Sequence, residues 1–199
     1  SRCASIPDLR SLASLTGLNF LELGYGGAKM LKPEPLANLV NLVGLNLHFC
    51  KELTSISFLA DLKNLEYLGL HYCLRISNLA PIASLNRLKH LYITGCVRVD
   101  SLDPLSGLSN LVSLHMDDCT GIQDISPLYP LDGLEKIRVS PAIFNDQLDI
   151  PDYLIHSEDA PSILAWSQEM DRGDVRRLSE LKVLILGQGR VGKSHLLRR

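Results

Sequence analysis

Eight consecutive residues near the end of the chain carry its clearest chemistry: Gly187, Gln188, Gly189, Arg190, Val191, Gly192, Lys193 and Ser194, the pattern G-x-x-x-x-G-K-S. A row of phosphates needs those residue types at that spacing. Gly187, Gly189 and Gly192 let backbone N–H groups turn inward and cradle phosphate oxygens. Lys193 supplies a point charge to the outer phosphates, and the Ser194 hydroxyl is a ligand for the Mg²⁺ that accompanies them. Such a loop works between a strand and a helix whose positive end faces the anion. That setting is written around it: the aliphatic run 181–186 reads as a strand, and His195, Leu196 and Leu197 continue as a helix start.

The rest of the chain follows a different rule. From Leu39 to Val139 one line is written five times, each copy 23 residues after the last. Leu39, Leu62, Leu85, Leu108 and Leu131 open the copies, followed in register by Leu42, Leu65, Leu88, Leu111 and Leu134. Leu45, Leu68, Leu91, Leu114 and Ile137 form the next column, then Leu47, Leu70, Ile93, Met116 and Val139, then Cys50, Cys73, Cys96 and Cys119. A fixed period in the twenties with this pattern is that of leucine-rich repeats, an α/β solenoid curved into a horseshoe. Alternation around the central leucines predicts a short strand in each copy, stacked into a parallel sheet on the concave wall. The tails, with aliphatics three apart and Pro81, Pro104 and Pro127, predict 3₁₀ or irregular turns on the convex side. An earlier repeat carries Leu15, Leu18, Leu21 and Leu23, but its tail is one residue longer, with Gly26 and Gly27 where the cysteine belongs. A distorted turn is expected there. Cys3, Ile6, Leu9 and Leu12 match a repeat tail, so upstream repeats or a frayed end are expected before them.

The repeat register is lost after Val139. Ser157, ahead of Glu158, Asp159 and Pro161, reads as a helix start, and Ile163, Trp166 and Met170 share one apolar face. A helix near 158–170 is therefore expected to cap the last repeat, with 171–174 as a linker. Residues 1–140 form the solenoid on this reading, 141–178 its cap and linker, and 179–199 the start of a second domain.

The outward strand positions hold Phe20, Glu22, Asn46, His48, Tyr67, His71, His90, Tyr92, His115 and Asp117, with Phe49 and Tyr72 at the adjoining turns. Aromatic and imidazole side chains on a rigid concave wall suit a protein-binding surface that protonation can tune. Two other readings stand beside it: ordinary ladder residues stacked on one another, and a metal site drawn from His71, His90, Tyr92 and His115. The five cysteines all fall in one repeat column, odd in number and without a C-x-x-C pair, which fits buried thiols in a reducing cytoplasm better than disulfides. A line of cysteines along a stack does not make zinc's tetrahedron. No apolar run approaches the roughly 18 residues of a membrane span. The segment 171–199 holds eight Lys or Arg against three acids, yet without aromatics among the bases it predicts no nucleic-acid partner.

Repeats placed before a phosphate loop, with a short helix and linker between, resemble the Roco family. The stretch 178–199 is similar to the first strand, loop and helix of its bacterial Roc domains. That resemblance implies a Ras-like GTPase binding GTP or GDP with Mg²⁺ through Gly187, Gly192, Lys193 and Ser194. It further implies a following dimerising COR domain, and repeats that bind a protein partner or the chain's own GTPase and COR domains. GTP hydrolysis would belong to the longer protein; residues 1–199 alone are expected to hold nucleotide weakly, lacking the parallel strands that fix the loop. A stand-alone binding solenoid with a relic loop is the alternative. An ATP-driven switch of the immune-receptor kind is a third reading, against which the repeat-first order counts.

Lys193→Ala, in the protein with its complete nucleotide domain, is expected to abolish binding of a fluorescent guanine nucleotide while partner binding by the repeats persists. Unchanged nucleotide affinity would remove the phosphate-loop assignment.

Overall fold

A computed structural model describes residues 9–24, 32–140 and 150–172. The phosphate loop with Gly187, Gly189, Gly192, Lys193 and Ser194, the remnant at Cys3 and the Gly26–Gly27 turn lie outside them.

Six strands form one parallel sheet in chain order: β1 (Phe20–Glu22), β2 (Gly44–Asn46), β3 (Tyr67–Gly69), β4 (His90–Tyr92), β5 (Ser113–His115) and β6 (Lys136–Arg138). Leu21, Leu45, Leu68, Leu91, Leu114 and Ile137 lie side by side across it, so the sequence columns are the sheet register. The connections opposite the sheet are short 3₁₀ segments: Arg10–Ser14, Glu34–Asn38, Ser57–Asp61, Ala80–Ser84, Asp103–Leu105 and Ser126–Leu128. Pro81, Pro104 and Pro127 stand in the first turns of the last three, where a missing N–H leaves no bond unmade.

The three-residue spacing of the tails is a hydrogen-bond pattern. Leu53 N–H donates to Cys50 O, Leu59 to Ile56, Leu62 to Leu59 and Leu65 to Leu62, all at 3.0–3.1 Å. A turn of three residues returns every third side chain to one edge, and those side chains are the core. Leu53, Ile56, Leu59, Leu62 and Leu65 are all 0–1 % exposed.

Two further ladders tie repeat to repeat. Where the chain leaves each strand, a cysteine thiol donates to a carbonyl of the preceding repeat: Cys50 to Leu23 O, Cys73 to Leu47 O, Cys96 to Leu70 O and Cys119 to Ile93 O, at 3.0–3.4 Å. These four thiols are free and buried. Burial pushes Cys96 and Cys119 up to about 12, so both stay protonated and able to donate. Ahead of the strands, Asn41, Asn64 and Asn110 donate side-chain N–H groups to Thr16 O, Val40 O and Asn86 O, again one repeat back.

At the C-terminal end the last strand is closed by a different element. Ile137 N–H donates to Glu158 O and Ala160 N–H to Glu135 O, so the free edge of β6 is paired with an antiparallel bridge. Two helices surround that bridge, α1 (Asp152–Ser157) and α2 (Ala160–Asp171). The helix start expected at Ser157 is corrected: Ser157 ends α1, and Asp159 caps α2 by accepting from Ser162 N–H at 3.0 Å. Asp159 prevails because Glu158, with a left-handed φ of 54°, breaks the chain between the helices. Ile163 and Trp166 of α2 are 0 % and 1 % exposed against the last repeat. Tyr129 pins the helix from below, its hydroxyl 2.7 Å from both Ser167 Oγ and Asp171 Oδ2. No described helix is long and apolar enough to cross a membrane.

Leu91→Ala opens a cavity in a fully buried column and is expected to lower stability by about 2–5 kcal/mol in urea unfolding followed by Trp166 fluorescence. A loss well under ~1 kcal/mol would contradict the packing described.

Candidate functional site

Because inward leucines take over the core, the alternate strand positions are left to face the concave side. One column runs Phe20, Gly44, Tyr67, His90, Ser113, Lys136, and the next Glu22, Asn46, Gly69, Tyr92, His115, Arg138. Strands about 4.8 Å apart bring rings of successive repeats into contact. Tyr92 is the centre: its ring centroid lies 5.0 Å from Tyr67, 5.2 Å from His71 and 4.6 Å from His115. A second stack runs along the rim, with Phe49 and Tyr72 at 4.9 Å and an interplanar angle of 11°.

Phe49 and Tyr72 reach that rim through strained backbone. Both have left-handed φ values, 60° and 56°, where the next repeats have Gly95 and Asp118. The region is unfavourable for bulky side chains and costs about 1–3 kcal/mol. Each repeat turns there once, and the bond from Tyr72 N–H to Thr94 O at 2.7 Å holds the turn. Aromatic rings kept at a position that glycine would occupy without strain point to use of the exposed rings.

Glycines shape the remaining wall. A side chain at Gly44 would collide with the Phe20 ring, and one at Gly95 with the Tyr72 ring. Between Phe20 and Tyr67, above Gly44, lies an open hollow of about 400 Å³, bordered also by Glu22 and Asn46. His48 departs from its expected place on the wall. It is only 6 % exposed, because its ring folds over Gly24, where the preceding repeat lacks a side chain, and reaches to 3.8 Å from Glu22 Oε1.

The other predicted wall residues face the concave side in two groups. Tyr67, His71, Tyr92 and His115 come together, whereas Phe20, Glu22 and Asn46 border the hollow. His90 is engaged by Ser113, Nδ1 to Oγ 3.0 Å. Among the described residues no three His, Cys, Asp or Glu side chains are placed to hold a metal ion, so the metal reading gains nothing. Sequence reading passed over Lys136 and Arg138, which end the same two columns; their spacing of 23 from Ser113 and His115 was the available signal. Arg138 Nε lies 3.4 Å from Asp117 Oδ2 and 3.6 Å from Glu158 Oε1, so the arginine at the wall's basic end is internally paired.

Burial holds His71 below its ordinary 6.5, reinforced by His115 and His48. Burial likewise lowers His115, with the Arg138 charge adding to it and Glu158 and Asp117 opposing. A histidine depressed in the folded state takes up its proton more readily when unfolded. Stability is therefore full above the ordinary value of about 6.5 and falls as pH drops through it, until the folded pKa is passed. The melting temperature is expected to decline from pH 7.5 to 5, and His71→Gln with His115→Gln to flatten that slope. An equal slope in the double variant would contradict the assignment.

No family model matches the chain, and no curated protein matches it. Solved structures do. The chain is similar to internalin C2 of Listeria monocytogenes, at 29 % identity over 68 % of this chain and 57 % of that one, TM-score 0.57. A second internalin from the same organism, InlF, gives 31 % identity over 66 % and 37 %, TM-score 0.58. A leucine-rich repeat protein of Leptospira interrogans shares the fold at 20 % identity over 72 % and 43 %, TM-score 0.50. The chain thus spans 57 % or less of each of these proteins. Register, ladders and likenesses agree: the chain folds as a leucine-rich repeat solenoid.

Proposed function

We propose that this chain is the protein-binding arm of a GTP-binding signalling protein of the Roco kind. The observation that carries the binding part is the ring cluster around Tyr92, at 4.6–5.2 Å from its three neighbours on a rigid concave wall. Preorganised aromatic and imidazole side chains lose little conformational freedom on association and are frequent anchors of protein interfaces. The partner is either a separate protein or the GTPase and COR domains of the same, dimeric, protein.

The GTPase part rests on sequence. Gly187, Gly189, Gly192, Lys193 and Ser194 would hold GTP or GDP, with Ser194 on Mg²⁺, once the domain that follows supplies its parallel strands. Hydrolysis belongs to that longer protein. The free thiol ladder supports a reducing compartment, and on that ground the cytoplasm. The second reading, a stand-alone binding solenoid that uses the same wall, is favoured by the likeness to two internalins at 29 % and 31 % identity. Both readings place recognition on the same residues.

Small protein domains selected from a displayed library against the 199-residue chain give the test. Those that compete with one another for a common site are expected to lose about tenfold or more in affinity on Tyr92→Ala, and nothing on Lys63→Ala, an exposed residue outside the sheet. Competing binders indifferent to Tyr92→Ala would move recognition off the wall.

A further inference from the structure

The concave wall is not uniform, and an open break in it carries a chemical signature. In the first outward column the second repeat places Gly44 between Phe20 and Tyr67. Two strand spacings, roughly 9–10 Å, therefore separate the backbones that bear these rings. The Phe20 ring leans over Gly44 and is 70 % exposed, while Tyr67 is drawn the other way by its contact with Tyr92 at 5.0 Å. The hollow of about 400 Å³ left between them is flanked by these two rings, and among its described lining residues one is charged, Glu22. Asn46 adds an amide, whose Oδ1 accepts from His48 N–H at 3.3 Å.

Each feature favours a positive charge. Aromatic faces are negative at the ring centre and attract ammonium or guanidinium groups. The Glu22 side chain is 66 % exposed, and its ionic neighbour among the described residues is His48 Nε2 at 3.8 Å, too long for a hydrogen bond. The wall's own cations, Lys136 and Arg138, lie on the sixth strand, at the opposite end of the sheet, where Asp117 and Glu158 engage Arg138. Among the described residues no lysine or arginine borders the hollow. A planar guanidinium stacks on a ring and bonds a carboxylate at the same time, which an ammonium does less well.

We propose that this hollow receives an arginine side chain of the protein partner, stacked against Phe20 and Tyr67 and paired with Glu22. The inference rests on the concave wall being the binding surface and adds the chemistry of one anchor. An apolar side chain would also fill the space, but it would leave the Glu22 carboxylate at the border without a partner of opposite charge.

The probe is N-acetyl-arginine N-methylamide, titrated at millimolar concentration into the ¹⁵N-labelled 199-residue chain, with the neutral isostere N-acetyl-citrulline N-methylamide as control. Saturable shifts are expected at the amides of Leu21, Gly44 and Leu45. Glu22→Gln, an exposed change that leaves the fold intact, is expected to weaken the arginine probe about threefold to fivefold and to leave the citrulline response unchanged. Equal responses to both probes, or an arginine response indifferent to Glu22→Gln, would show a hollow that reads shape and not charge, and would overturn the proposal. So would an absence of shifts at Leu21, Gly44 and Leu45. Those outcomes leave the ring cluster at Tyr92 untouched, since a single residue analogue is too short to report on it; the wall as a whole stands or falls on Tyr92→Ala.

Discussion

A repeat of this fold must bring the chain back to the same height one strand spacing further on, with the same side chains pointing inward. That closure is the constraint on which everything else depends. It is met by three-residue turns, in which Leu53, Leu59, Leu62 and Leu65 donate an N–H to the carbonyl three residues earlier, so that Cys50, Leu53, Ile56, Leu59, Leu62 and Leu65 all return to one edge. Asparagine amides and cysteine thiols from adjacent repeats add bonds to carbonyls where the chain enters and leaves the strand. Stability in such a stack is a sum of nearest-neighbour terms, so these ladders matter at every step.

Once inward positions are fixed, outward positions are free to vary, and they do. Beside the inward column, leucine five times and isoleucine once, the outward one holds Phe20, Gly44, Tyr67, His90, Ser113 and Lys136. Stacking at one strand spacing then turns scattered residues into continuous features: a ring cluster around Tyr92, an aromatic rim at Phe49 and Tyr72, and a hollow where Gly44 interrupts. The strained φ of Phe49 and Tyr72 is tolerated because the turn is over-determined by the bonds on either side of it.

The repeat columns, strand register, 3₁₀ tails and buried thiols were legible because they follow from a period that any reader of the sequence can align. Features set by the neighbour of a residue were less legible. His48 sits in an outward column, yet it is buried, since only contact with Gly24 decides where its ring goes. Asp159 and Ser157 are both competent helix caps in sequence; the left-handed Glu158 chooses between them. The amide ladder of Asn41, Asn64 and Asn110 was written at the repeat period too, but polar residues in a surface turn carry no inward pattern to draw the eye. Helix α1 had no periodic signal in its six residues. The nucleotide loop remains a matter of residue chemistry alone.

Recognition on the concave face is the claim that unites these observations. The most direct measurement is a crystal structure of the chain bound to a partner domain. The account predicts that Tyr67, Tyr92 and His115 become covered by the partner while the convex 3₁₀ segments stay open to solvent. A partner seated on the convex side, with those three rings still exposed, would contradict it.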